Sequence, residues 1–329
     1  MRKTKNKIEI TKVVTVVLAA VLLVSLALLA LNAWDKNYGR FPEINFGEST
    51  VKYNGQDYTL KSGVETFMVI GLDKFDGNDV GDSYINDQQA DFIMLFVLDN
   101  NARTYTAIHI NRDSMTDVNV LGVAGEKIGT VKQQIALAHT YGNGKEVSCR
   151  NTADAVSALL MGVKVKHYIS FKMDALTTYN DFIGGVEVTV LDDFSGVDAS
   201  LVKGEKVTLT GEQALTYVRT RYGLDDSTNQ TRMKRQKQYL DALRIKTEQR
   251  IADDEAFIAN ATLSVSQYLV SDRSLNQLQE LMKKLSDYEF TDFLDIAGEN
   301  KVGDKFMEFT PDEEAVKKMV IDLFYEPKK

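Results

Sequence analysis

The longest apolar run of the chain lies near its start. From Val13 to Trp34 there is no charged residue, and Leu, Val and Ala fill most positions. At 1.5 Å per residue such a helix crosses a hydrocarbon core of roughly 30 Å, and a helix satisfies its backbone polar groups internally. Residues 1–12 carry Arg2, Lys3, Lys5, Lys7 and Lys12 against one acid, Glu9. A basic flank stays in the cytoplasm. The pattern therefore predicts a cytoplasmic tail at 1–12, a transmembrane helix at 13–34 and a body outside the membrane, with Trp34 and Tyr38 at the outer interface. A cleaved signal peptide would have a shorter apolar region and a small-residue cleavage site; Ala30-Leu31-Asn32-Ala33 matches that poorly.

Beyond the anchor, short apolar runs alternate with segments of helical period. Glu65–Leu72, Asp91–Asp99, Thr104–Ile110, His167–Phe171 and Val186–Val190 read as strands, several of them apolar on both faces. Gln133–Tyr141, Thr152–Met161, Met173–Phe182, Thr228–Lys246, Asp254–Tyr268, Ser274–Leu285 and Pro311–Leu323 read as helices. Gly211–Tyr217 begins as a helix, and Val218–Tyr222 reads as extended. Strands buried on both faces and interleaved with helices make an α/β fold with a central mixed sheet covered by helices. Residues 35–62 form a juxtamembrane segment with a hairpin turn at Asn54-Gly55.

Composition narrows the possible chemistry. The one cysteine, Cys149, can form no internal disulfide and reads as a small buried residue. His109, His139 and His167 are scattered and no metal-ligand spacing appears, which disfavours zinc. Setting aside the tail's five basic residues and Glu9 leaves 34 basic against 46 acidic residues, a net of −12. Nucleic acid needs a basic footprint, so it is excluded as a partner by sign and by compartment.

Polar residues gather where the apolar strands end: Asp73, Asp91, and the pair Arg112-Asp113. Ligands of α/β sheets collect at such ends. The segment from Tyr217 to Leu240 is richer still. An extended Val218–Tyr222 would point Arg219 and Arg221 to one face, beside helix-starting residues Asp226, Ser227 and Thr228. Arg232 and Gln236 then stack at i and i+4, with Arg235 close by. Guanidinium groups converging near a helix N-terminus suit a phosphate.

The order and spacing of these pieces resemble the LytR–CpsA–Psr family of cell-wall glycopolymer ligases. The matching segments are VIGLD at 69–73, QADFIMLFVLD at 89–99, IHINRDSM at 108–115, QIALAHTYGNG at 134–144, DFIGGVEVTV at 181–190, LTGEQALTYVRTRYG at 209–223 and TRMKRQKQYLDAL at 231–243. The resemblance implies a three-layer α/β/α sandwich, with its catalytic core over 63–250 and a helical completion over 251–329. It implies transfer of a glycosyl phosphate from a polyprenyl-pyrophosphate-linked glycan to a peptidoglycan hydroxyl, with Mg²⁺ at the pyrophosphate. By position, Asp73 and Asp91 are the metal-side carboxylates. Arg112, Arg219, Arg221, Arg232 and Gln236 are the pyrophosphate set, and Asp113 orients Arg112 or acts as a base.

Four positions depart from the family pattern. Gln89 stands where an arginine is usual, Asn111 where a proline is, Gln134 where a lysine is, and Asn229 where an acid is common. Lys132, two residues before Gln134, is the candidate substitute for the missing lysine. A lost charged contact to phosphate is worth roughly 1.5–3 kcal/mol. The chain therefore reads either as a transferase with an altered donor or as a non-catalytic binder of lipid-linked glycan. Transcriptional attenuation, a label attached to the family, would need the large domain in the cytoplasm.

Overall fold

The computed structural model describes residues 47–74, 86–221, 223–224, 229–303 and 306–328. The expected tail and transmembrane helix, and the helix-starting residues 226–228, lie outside them. Among the described residues no helix is long and apolar enough to cross a membrane.

Fifteen strands are described. They are β1 (Thr50–Tyr53), β2 (Gln56–Leu60), β3 (Val64–Lys74), β4 (Gln88–Asp99), β5 (Thr104–Ile110), β6 (Met115–Leu121), β7 (Lys127–Gln134), β8 (His167–Lys172), β9 (Val186–Thr189), β10 (Lys206–Leu209), β11 (Leu269–Ser271), β12 (Glu289–Asp295), β13 (Gly298–Val302), β14 (Met307–Pro311) and β15 (Tyr325–Pro327). The α-helices are α1 (Glu146–Leu159), α2 (Asp174–Phe182), α3 (Gly211–Arg219), α4 (Asn229–Asp253), α5 (Phe257–Val265), α6 (Leu275–Asp287) and α7 (Glu313–Phe324).

Six strands form the central sheet in the order β11-β8-β3-β4-β5-β12. Pairing is antiparallel for β3 with β4, β4 with β5 and β11 with β8, and parallel for β3 with β8 and β5 with β12, so the sheet is mixed as expected. Cross-strand partners share a face. Met68, Leu95 and Ile108 point to one side with Ser170, which meets the Cys149 thiol of α1 at 3.3 Å. Phe92, Met94, Ala107 and Phe293 point to the other side, where Leu240 of α4 packs on them. Helices thus cover both faces, and burying both explains why the strands read as continuous apolar runs. Cys149 is fully buried, and burial pushes its thiol up to about 11, so it is an inert apolar filler.

Three expectations need correction. Gln133–Tyr141 is helical only in part and is not an α-helix: Gln133 and Gln134 end strand β7, and a 3₁₀ helix follows over Ile135–Thr140. The β6–β7 hairpin escaped notice because β7 is mostly exposed and carries little alternating burial. Val218 and Arg219 are not extended: helix α3 continues through Arg219, and Thr220 turns extended, at φ −60° and ψ 133°, while Tyr222 lies outside the described residues. A reciprocal Thr210–Gln213 capping box starts this helix, and Ala214, Tyr217 and Val218 bury its inner face at helical spacing, which overrides the β-propensity of the Tyr-Val pair. Residues 251–329 are also more than a helical completion. They supply β11 and β12 as the two edge strands of the sheet, and the β13–β14 hairpin besides.

Candidate functional site

The site lies where β3 ends, β4 begins and β5 ends. On β4 the pairing register shifts: Gly71 pairs with Phe92 and Leu72 with Ala90, leaving Asp91 outside the ladder as a bulge. Bulges re-aim side chains beside functional sites. The backbones are close here; a Cβ at Gly71 would stand 3.0 Å from that of Phe92, which is why this position takes glycine.

The re-aimed Asp91 carboxylate meets two arginines. Arg112 Nη1 donates to its Oδ1. Arg232 Nη1, from α4, lies 3.6 Å from its Oδ2, while Arg232 Nη2 donates to the Asp91 carbonyl at 3.3 Å. All three side chains are largely buried, at 9, 11 and 3% exposure for Arg112, Asp91 and Arg232. Burial pulls Arg232 down to about 10, with Asp91 opposing that shift, so it stays charged at neutral pH. Asp113 contacts Arg112 Nε at 3.4 Å through Oδ1. Burial raises the pKa of Asp113 against the lowering pull of Arg112, Arg221 and Arg232, and its Oδ2 is buried without a hydrogen-bond partner. Arg221 therefore lies close enough to shift both Asp113 and Arg232.

Arg219 reaches the cluster from the end of α3. It forks onto Asp73 at the end of β3, Nε to Oδ2 at 2.6 Å and Nη2 to Oδ1 at 2.9 Å. More than half of the Arg219 side chain is exposed. The structure thus joins Asp73, Asp91, Arg112, Asp113, Arg219, Arg221 and Arg232 at one end of the sheet.

Gln236 stands beside the arginines, lining an apolar pocket together with Asp91, Arg219 and Arg232, and its Nε2 donates to the Val218 carbonyl at 3.1 Å. Lys132 is exposed on β7 opposite Asp117; it shares a strand face with the buried Gln134 but is two residues farther along, roughly 6–7 Å.

The four departures from the family pattern prove to be connected. Gln89 Oε1 accepts from Arg112 Nη2 at 2.9 Å. Gln134 Nε2 donates to Asp113 Oδ1 at 3.1 Å and to the Met307 carbonyl at 2.6 Å. The buried Asn111 side-chain oxygen accepts from the Asp113 amide and from Nδ2 of Asn229. Neutral side chains thus occupy those positions: Gln89 binds Arg112, Gln134 binds Asp113, and Asn111 binds the Asp113 backbone and Asn229. The Met307 carbonyl and His109 went unnoticed in the sequence. His109 lies on β5 under α4, with Nδ1 facing Asp295 of β12 at 3.7 Å and a hydrogen bond to Gln236. A histidine alternating with apolar residues gives no signal of such contacts.

Next to the arginines opens an apolar pocket of about 50 Å³. Phe92, Phe171, Met173, Leu176, Val218 and Leu240 form its walls, and Asp91, Arg219 and Arg232 its charged end. The arrangement suits a molecule with an anionic head and an apolar tail. Among the described residues no three acidic, histidine or cysteine side chains cluster as a ready metal cage. Asp73 and Asp91 nevertheless offer the hard oxygens that Mg²⁺ takes when substrate phosphates complete its shell, and arginines drawn onto those phosphates would free both carboxylates.

The LytR_cpsA_psr family model matches residues 43–324. A polyisoprenyl-teichoic acid–peptidoglycan teichoic acid transferase, TagU of Enterococcus faecalis, is 24% identical over 236 residues, covering 70% of each chain. The crystal structure of Bacillus subtilis TagV has a TM-score of 0.60 at 22% identity, covering 80% of this chain and 97% of that one. A structure of TagT bound to LI-WTA has a TM-score of 0.59 at 19% identity, covering 86% and 93%.

Proposed function

The chain belongs to the LytR_cpsA_psr family, and on that footing we propose that it is a cell-wall glycopolymer transferase. Its donor is a glycan linked to a polyprenyl pyrophosphate, and its acceptor is a hydroxyl of peptidoglycan. The carrying observation is the arginine–carboxylate cluster that opens onto an apolar pocket. A diphosphate needs several fixed positive donors, and an isoprenoid tail needs a dry wall beside them; phosphoryl transfer relies on such positioning and charge neutralisation.

In this reading Arg112, Arg219, Arg221 and Arg232 hold the pyrophosphate, and Asp113 keeps Arg112 in place. The acceptor hydroxyl attacks the phosphorus that carries the sugar. The P–O–P bond breaks, polyprenyl phosphate leaves, and the hydroxyl proton passes to a carboxylate of the site or to water. Asp73 and Asp91 would hold Mg²⁺, which supplies further neutralisation of the diphosphate when bound. The pocket volume is that of a few carbon atoms, so the tail places only one segment there and runs on outside. The apolar run at 13–34 tethers the domain outside the cell, on the bilayer that holds the donor's tail.

The test is transfer from a polyprenyl-pyrophosphate saccharide to peptidoglycan, with Mg²⁺ or with chelator, in wild type and Arg219→Ala. Arg219 is half exposed, so its loss costs under about 1 kcal/mol of stability, while transfer is expected to fall by at least tenfold. Equal transfer in both proteins refutes the assignment. The second reading, a binder without turnover, is favoured by the neutral Gln89 and Gln134; retained lipid-linked glycan with no transfer to any acceptor would select it.

A further inference from the structure

Arg235 is the largest fully buried side chain of the described protein. It stands on α4 between Arg232 and Gln236 in sequence, yet it points away from the carboxylates of the site. Its Nε lies 3.1 Å from Asp192 Oδ2, and its guanidinium packs over the rings of Phe194 and Tyr217 at 5.2 and 5.9 Å. Nη2 donates to the Thr220 carbonyl. That carbonyl belongs to the residue between Arg219 and Arg221, at the point where α3 stops and the chain turns extended. One residue along α4, Gln236 holds the Val218 carbonyl, on the other side of Arg219.

A helix ends with carbonyls that have no partner inside it. At the end of α3 two of these, of Val218 and Thr220, are taken by neighbouring side chains of α4; they bracket Arg219, which meets Asp73, and directly precede Arg221, whose charge acts on Asp113. Burying a guanidinium is costly unless it is paired and hydrogen-bonded. An apolar side chain would fill this space but would leave the Thr220 carbonyl loose and Asp192 without its partner. We propose that Arg235 is a positioning residue of the site: it fixes the Val218–Arg221 turn and so sets the direction of Arg219 and Arg221. This rests on the functional reading above in so far as those arginines bind a diphosphate.

Arg235→Met keeps much of the volume and removes the charged contacts; because it leaves the largely buried Asp192 without its partner, it should be clearly destabilising, so binding is measured below the melting transition of every variant. Binding of farnesyl pyrophosphate with Mg²⁺ is measured on the full chain in detergent for wild type, Arg219→Ala, Arg235→Met and the double variant, with a melting curve for each. Arg235→Met is expected to weaken binding roughly tenfold, about the worth of one charged hydrogen bond. In the double variant the losses should fall short of multiplying, because the part of the Arg235 effect that acts through Arg219 is already gone and only the part through Arg221 is left to add. Multiplicative losses, or wild-type binding by Arg235→Met, overturn the proposal. Should the wild type bind no farnesyl pyrophosphate, the functional reading fails, and hydrogen exchange judges the positioning alone. The Thr220 amide, bonded to the Thr216 carbonyl at 3.1 Å, should exchange at least tenfold faster in Arg235→Met, and an unchanged rate overturns the role.

Discussion

Replacing Asp91 by asparagine removes one charge and keeps the shape. In the folded protein that carboxylate faces two buried guanidinium groups, of Arg112 and Arg232. An amide accepts one hydrogen bond but neutralises neither. Removing one partner of a buried pair costs roughly 3–5 kcal/mol, since the remaining charge is left uncompensated. For the compact unit Asn45–Lys329, roughly 2.1 cal/mol/K per residue gives an unfolding entropy of about 0.6 kcal/mol/K. The melting temperature of Asp91→Asn should therefore fall by roughly 5–8 °C. A second readout separates charge from packing. The variant holds excess positive charge, so inorganic pyrophosphate without Mg²⁺ should raise its melting temperature more than that of wild type. Calorimetry with and without pyrophosphate measures both. A loss under about 2 °C, or equal rises in the two proteins, would show that the Asp91–arginine contacts are not the electrostatic centre described above.

Two further outcomes are expected. Burial, helped by Arg232, depresses His109 to about 3 from its ordinary 6.5; the stability this contributes is complete above about pH 6.5 and is lost toward pH 3, at up to about 1.4 kcal/mol per pH unit. Burial shifts the neighbouring Asp295 upward, with the opposite slope, so the comparison of wild type with His109→Gln isolates the histidine: the variant should lose less stability in acid, and parallel melting curves between pH 7 and 4 would contradict it. Leu240→Trp fills the apolar pocket and should weaken binding of a long-chain polyprenyl pyrophosphate at least tenfold, while inorganic pyrophosphate binds as before; equal losses for both ligands would mean that the pocket wall does not meet the tail.

Much of the sheet was legible because Phe67–Leu72 and Phe92–Leu98 are apolar on both faces, which marks a layer covered on each side. The edge strands were not: β11 is three residues long and β12 alternates only weakly, so their place depends on long-range pairing with β8 and β5. Asp73, Asp91 and Arg112 stood out as charges at the ends of apolar runs. Arg219 and Arg221 were legible as chemistry but misread as geometry, since the capping box at Thr210 and the carbonyl contacts from α4 decide where the helix stops. The role of Gln236 was invisible for the same reason: an i and i+4 spacing says which side chains share a face, not which backbone oxygen lies under them.

The Asn111–Asn229 contact makes two distant positions interdependent in mutation. Changing Asn229 alone to aspartate would bring an acceptor against the Asn111 oxygen. If the Asn111 amide flipped to donate, the Asp113 backbone amide would lose its own acceptor. Either arrangement strands a buried polar group, at roughly 1–3 kcal/mol. Asn229→Asp is therefore penalised until position 111 changes as well. The two asparagines form an epistatic pair: whether an acid is tolerated at 229 depends on what stands at 111.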